Sequence, residues 1–181
     1  MARSSTRVPL SARPKDMAMF IYFVLHVPMT LLMDCVPIYP AVLAPLLKPL
    51  IAFQDYYVNT YRDPFMGGIE MMTWFKTFVH MEGLVQVPIF IYAARCLYRN
   101  DRRVYLPICI YCAHVITTVI PCLTSLHFES VDRMPFEVTE EQKLFLTSVY
   151  LPWLLFPLWM LYENFNRVRH YEGLAGAKKA K

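Results

Sequence analysis

Charge is scarce in this chain: 18% of its 181 residues are Asp, Glu, Lys or Arg, against 56% apolar. Glycine is scarcer still, with five residues and no glycine-rich phosphate loop among them. There is no internal repeat, no low-complexity tract and no module that interleaves aromatic with basic residues. These absences exclude a soluble domain of ordinary composition, a nucleotide-phosphate cradle and a nucleic-acid reader. Cysteine is present but quiet. Cys35, Cys96, Cys109, Cys112 and Cys122 lie mostly inside or at the ends of apolar blocks, and the CxxC at 109–112 has no acidic or thioredoxin-like context. Packing is the expected role of these thiols rather than redox or metal chemistry, and no metal or cofactor is expected.

What is there is hydrophobic length. Mean hydropathy is +0.33, and the apolar residues fall into blocks too long for a soluble core of this size. About 20 helical residues cross the roughly 30 Å hydrocarbon layer. Four such stretches occur, at about 17–36, 73–98, 104–126 and 143–163, with short tails at 1–16 and 164–181. The first could be a signal peptide, since Arg3, Arg7, Arg13 and Lys15 precede it. It carries His26 and Asp34, however, exceeds the length of a signal h-region and lacks a small-x-small cleavage site, so it is expected to remain as a helix. The expectation is one all-α, integral-membrane four-helix domain.

Basic residues set its orientation. Thirteen of the eighteen Lys and Arg residues lie in the two tails and in the link between the second and third spans. Basic residues near short loops stay cytosolic, so both termini are expected in the cytosol. The net charge of +4 is then explained by side chains at headgroup level, without nucleic acid.

The two opposite, lumenal links differ. Residues 37–73 hold Pro37, Pro40, Pro45 and Pro49 among leucines, too broken for a span and too apolar for water. Short helices lying in the interface and covering the bundle mouth are expected there. Residues 127–142 are polar and acidic, and Thr139 to Gln142 fits a capping box that opens the fourth helix.

Each span carries a polar stripe at helical spacing: His26, Thr30 and Asp34; Glu82 and Gln86; His114, Thr117, Thr118 and Pro121; Ser148 and Tyr150, with Trp153 a turn beyond. Lipid cannot solvate these faces, so all four should turn inward. Pro28, Pro88, Pro107, Pro121, Pro152 and Pro157 give every span at least one proline, and bent helices leave room between them. The interior is therefore read as a cavity. For His26, Thr30, His114 and the threonines, each taken alone, simple tying of helices is the favoured reading. The carboxyl groups are different, because an acid at bilayer depth costs about 2.5–3.5 kcal/mol on insertion scales, which leucine would not. Asp34 and Glu82 give one acid to pair with a cation and one to donate a hydrogen bond. Their nominal depths differ by roughly two turns, so contact between them is not assured.

The stretches "HVPMTLLMD" (26–34), "YRDP" (61–64), "WFKTFVHMEGLVQVP" (74–88), "HVITTVIP" (114–121) and "SVYLPWLLFP" (148–157) resemble, in order through all four spans, the EXPERA family. The resemblance implies a family fold of four to five helices in the endoplasmic-reticulum membrane, sterol trafficking and homeostasis as function, and a plausible homodimer. It implies that Asp34 pairs with the amine of cationic ligands, that Glu82 is its hydrogen-bonded companion, and that Gln86, Thr117, Tyr150 and Trp153 line the pocket; His26 and Thr30 join the candidate ligand-binding residues through the stripe they share with Asp34. Trp153 departs from the tyrosine more common there. Asp63 in "YRDP" takes a structural role bracing the lumenal loop, and the ligand class is cholesterol, oxysterols and cationic amphiphiles. The family also includes a sterol Δ8-Δ7 isomerase, but this chain has no acid in its third span and His80 points away from the face of Glu82. A third expectation, engagement of membrane or precursor protein clients, is compatible with the same residues. Finally "KKAK" (178–181) places Lys178 and Lys179 like a dilysine retrieval signal.

Overall fold

The computed structural model describes residues 8–70 and 72–179, of which 173–179 are described by their backbone alone. Arg3, Arg7 and Lys181 of the charge count lie outside the described residues, as do the side chains of Lys178 and Lys179.

Helix α1 (Pro14–Met29) begins with a proline in its first turn, where a missing N–H removes no intrahelical bond. It continues into a wider π turn, Thr30–Asp34, closed by the Cys35 N–H donating to the Thr30 carbonyl over 2.9 Å. Two 3-10 turns follow, Val36–Ile38 and Ala41–Leu43. Helix α2 then runs unbroken for 18 residues, Ala44–Tyr61. Several short helices were expected from the proline content. Short helical turns do form on either side, but the middle of the link is one long helix because Pro45 sits in the first turn, where it costs no bond, and only Pro49 lies in the interior. Arg62 ends it in the left-handed conformation, φ 55°, and its guanidinium covers the Phe136 ring at 4.8 Å. Asp63 caps the single-turn helix α3 (Pro64–Gly67).

The second span is α4 (Thr73–Met81), a second π turn (Glu82–Gln86) and α5 (Val87–Tyr98). The third is a 3-10 turn (Arg102–Val104) leading into α6 (Tyr105–Phe128). The fourth is α7 (Glu140–Lys179), opened by the expected capping box: Thr139 N–H donates to Gln142 Oε1 at 3.0 Å, and Gln142 N–H to Thr139 Oγ1 at 3.3 Å. Among the described residues, four helical stretches are long and apolar enough to cross a membrane: Pro14–Asp34, Thr73–Tyr98, Arg102–Phe128 and Glu140–Glu172. The protein is an all-α membrane bundle, without strands among the described residues.

α7 packs along α6, and α1 along α5. Two cores result. Met19, Phe23, Phe90, Ile108, Tyr111 and Met160 fill the half nearer the termini, and Phe65, Phe75, Val79, Leu126 and Leu146 fill the half under α2 and α3, called here the loop end. Ile21, Leu25, Leu84, Ile91, Ile110 and Leu155 remain exposed on the outer faces of the four spans. An apolar surface that large is untenable in water and ordinary in lipid.

The terminal end is closed by charge. Asp16, 4% exposed, accepts from Arg13, the residue just before its helix, and from Arg167 Nη1 of α7 at 2.5 Å. Arg13 Nη2 also donates to the Leu97 carbonyl at 2.8 Å, tying the end of α5 to the same group. α7 thus continues past the expected span end at 163. Asn164 is buried against Met19, Arg167 meets Asp16 and Glu163, and Tyr171 stacks on Tyr105, so this turn is held by packing rather than left as a solvated tail.

Candidate functional site

Two π turns face one another in the loop half of the bundle. In the second, Pro88 lacks the N–H that would bond the Leu84 carbonyl, and its ring crowds that carbonyl, so the helix widens over Glu82–Gln86. The two turns touch. Gly83 permits this: a Cβ there would stand 3.1 Å from Cys35 Sγ.

Their side chains meet. Thr30, fully buried, donates from Oγ1 to Glu82 Oε1 at 2.6 Å, and the Asp34 and Glu82 carboxyl groups lie within hydrogen-bonding reach of each other. The separation of two turns estimated from sequence does not hold. α4 starts alongside the Val36–Ile38 turn, beyond Asp34, and this brings Glu82 level with it.

Both carboxyl groups border a cavity of about 250 Å³. Its walls are mainly apolar: Met29 from α1, Met33 from the π turn that follows it, Met66 from α3, Phe75, Phe78 and Val79 from α4. Val115, Thr118, Val119 and Cys122 of α6 and Val149, Tyr150 and Trp153 of α7 complete them. Trp153 rests against His26 at 4.5 Å between ring centroids, and Gln86, 4% exposed, lies one turn beyond Glu82. α2 lies over the loop end and contributes Gln54 and Tyr57.

A third carboxyl group, Asp63, is 1% exposed and borders the cavity from below α2. It accepts four hydrogen bonds: from the backbone N–H of Phe65 (2.9 Å) and Met66 (3.2 Å), and from the hydroxyls of Tyr57 and Tyr150 (3.0 Å each). Burial pushes its pKa above the usual carboxylate range, and these donors oppose the shift. Four convergent donors suit the ionised form. With partners on α2, α3 and α7, Asp63 joins the cover to the bundle.

Of the residues expected at the site, Asp34, Glu82, Gln86, Tyr150, Trp153 and His26 line the cavity, and Thr30 stands behind Glu82. Thr117 does not. It is exposed, and its hydroxyl donates to the carbonyls of Ala113 (3.0 Å) and His114 (2.6 Å) on its own helix. The lining stripe of α6 is Val115, Thr118, Val119 and Cys122, one residue of rotation away, about 100°. Ser148 is likewise exposed and bonded to the Phe145 carbonyl at 2.6 Å. Gln54 and Tyr57 were missed because the proline-rich link hid the helix that aims them. The signal was their spacing of three, which puts an amide and a phenol on one helical face. The five cysteines are free and buried, and no cluster that would hold a metal occurs among the described residues.

Residues 49–164 match the family model described as EXPERA (EXPanded EBP superfamily). The chain belongs to the EXPERA family. Among curated proteins, this EXPERA chain is 32% identical to the Sigma intracellular receptor 2 of Xenopus tropicalis over 153 residues, 83% of this chain and 87% of that protein. It is 31% identical to the human Sigma intracellular receptor 2 over 162 residues, 84% and 88% of the two chains. It is 29% identical to the Efficient mitochondria targeting-associated protein 19 of Schizosaccharomyces pombe over 164 residues, 90% and 81%.

Proposed function

We propose that this EXPERA chain binds sterols and cationic amphiphiles in the cavity between its spans, and that binding serves sterol or lipid trafficking and homeostasis in the endoplasmic-reticulum membrane. One observation carries the reading: two carboxyl groups on facing π turns border an apolar chamber within the spans. Helix tying alone calls for a packed interface around the polar pair, with no space left beside it. An amine or a hydroxyl entering that space finds acceptors at one wall and apolar surface elsewhere, the usual composition of a small-molecule site. Asp34 is the partner for a ligand cation and Glu82 the group that holds Asp34. The relatives named as receptors agree with a ligand-binding role.

The proposal extends to setting. The excess of basic residues in the tails and in the α5–α6 link favours cytosolic termini, where Lys178 and Lys179 act in retrieval to the endoplasmic reticulum. A homodimer completes it. A sterol photoprobe should label the wild-type protein and lose that labelling in Asp34→Asn and Glu82→Gln. Labelling that persists in both variants removes the proposal.

Isomerase chemistry is disfavoured by arrangement. Proton addition and removal at two sterol carbons calls for an acid and a base placed at different points along the substrate. Asp34 and Glu82 sit side by side, α6 offers no carboxyl group, and His80 is exposed with Nδ1 against the Lys76 carbonyl at 2.7 Å. Restored growth of an isomerase-deficient strain would reverse that judgement. The fission-yeast relative, named for an association with mitochondrial targeting, supports a second reading, engagement of precursor proteins, and client capture unaffected by Asp34→Asn and Glu82→Gln would favour it.

A further inference from the structure

The polar groups bordering the cavity are not equally occupied. Tyr57 and Tyr150 both donate to Asp63, so their hydroxyl hydrogens are committed. Glu82 receives Thr30 and lies within reach of Asp34. Two residues are different: His26 and Gln54 both line the cavity, and His26 Nδ1 and Gln54 Nε2 are buried without a hydrogen-bond partner. The imidazole nitrogen donates or accepts according to its tautomer and so favours neither kind of ligand group, whereas the amide nitrogen of Gln54, on α2, only donates. α2 packs against the π turn that carries Asp34, so this donor is presented at the same end of the chamber as the carboxyl pair.

A buried amide nitrogen facing a void is a donor waiting for an acceptor. The carboxyl pair supplies acceptors. The ligand group that answers both is one that donates and accepts together. A hydroxyl does so, giving its hydrogen to a carboxyl oxygen and taking one from Gln54 on its own oxygen. An ammonium only donates, so it satisfies the acids and leaves the Gln54 nitrogen unpaired, with the partial positive charge of the amide N–H facing a full positive charge. The acids alone would favour the cation, since charge-assisted bonds to carboxylate are the stronger kind. Gln54 therefore weighs on the other side.

We infer that Gln54 is a specificity-determining residue which tunes this pocket toward hydroxylated sterols over cationic amines. The inference rests on the binding function proposed above, and it adds a residue and a direction of selectivity to it.

The test uses two probes that differ at one substituent: cholesterol, and the steroid amine 3β-amino-5-cholestene, with an ammonium in place of the hydroxyl. Affinities for both are measured on the full-length protein in lipid nanodiscs, for the wild type, Gln54→Leu and Gln54→Glu. In Gln54→Leu, cholesterol affinity should fall about three- to tenfold, the worth of one hydrogen bond, while amine affinity holds or rises. In Gln54→Glu, which keeps the shape and replaces the donor by an acceptor, the preference should move further toward the amine. Retained amine binding in both variants shows that they fold. If the ratio of the two affinities stays at the wild-type value in both variants, the role of Gln54 is overturned while the pocket stands. If the wild type binds neither probe, the pocket proposal falls and this inference falls with it.

Discussion

Thr30 Oγ1 donates to Glu82 Oε1 across 2.6 Å, joining the π turn that ends α1 to the π turn between α4 and α5. The contact sets the architecture of the site. A regular α-helix closes each carbonyl within four residues; a π turn reaches five, which turns the following side chains to new directions. Here both widened turns are used to bring an acid to the same chamber, and the hydroxyl of Thr30 holds one of them.

That hydrogen bond should be measurable as a coupling. Thr30→Val preserves shape and removes the donor, and Glu82→Leu removes the acceptor. In a double-mutant cycle followed by thermal unfolding in detergent, the two changes should be non-additive by about 1 kcal/mol, a size typical of neighbouring polar pairs. A thiol-reactive dye gives the readout, since all five cysteines are buried and become reactive on unfolding. Strict additivity would mean that the bond contributes nothing.

Asp63 should be the most sensitive polar residue of the cover. Asp63→Ala leaves two backbone N–H groups and two phenol hydroxyls without their acceptor in a buried place. The expected loss is about 3–5 kcal/mol, against about 1 kcal/mol for Tyr57→Phe or Tyr150→Phe, each of which removes a single donor. The same dye assay ranks the three. Comparable losses for all would show that the carboxylate is not the hub.

The terminal end offers a contrast between buried and exposed ion pairs. Asp16→Ala leaves Arg13 and Arg167 facing one another without their shared anion, and should cost about 3–5 kcal/mol. Lys15 bonds Glu163 at 2.7 Å, but its side chain is 58% exposed, so Lys15→Ala should change stability by no more than about 0.5 kcal/mol. Equal effects would show that solvent reaches Asp16 freely.

The extent to which all this was legible in the sequence follows from what each signal depends on. The four spans are set by hydropathy over some twenty residues, a sum that single side chains do not disturb, and four helices of that length and hydropathy form among the described residues. The capping box of α7 is a local exchange between residues three apart, so it too was readable. α2 was not, because four prolines in thirteen residues mask a helix in which only Pro49 breaks a bond. The stripe of α6 was misjudged by one residue because Thr117 and Thr118 are chemically alike and only packing selects between them. A proline such as Pro88 marks a disturbed helix but does not by itself say that the helix widens into a π turn rather than bending, so the meeting of Asp34 with Glu82 could not be derived from straight helices.

Gly83 supplies the last test, because it sits where the two π turns are closest. A Cβ at this position would stand 3.1 Å from Cys35 Sγ, a distance the sulfur must relieve by a few tenths of an ångström. Gly83→Ala should therefore be mildly destabilising, and Gly83→Val, with two more carbons directed at the same sulfur, should cost about 1–3 kcal/mol as overpacking does. The displacement falls next to Glu82, so sterol-photoprobe labelling should drop in Gly83→Val even at temperatures where the protein remains folded. Space can be restored from the other side. Combining Gly83→Val with Cys35→Ala removes the opposing sulfur and should recover much of both losses, which a defect confined to helix propensity would not do. If the double variant is as impaired as the single one, close approach of these two turns is not what positions the acids.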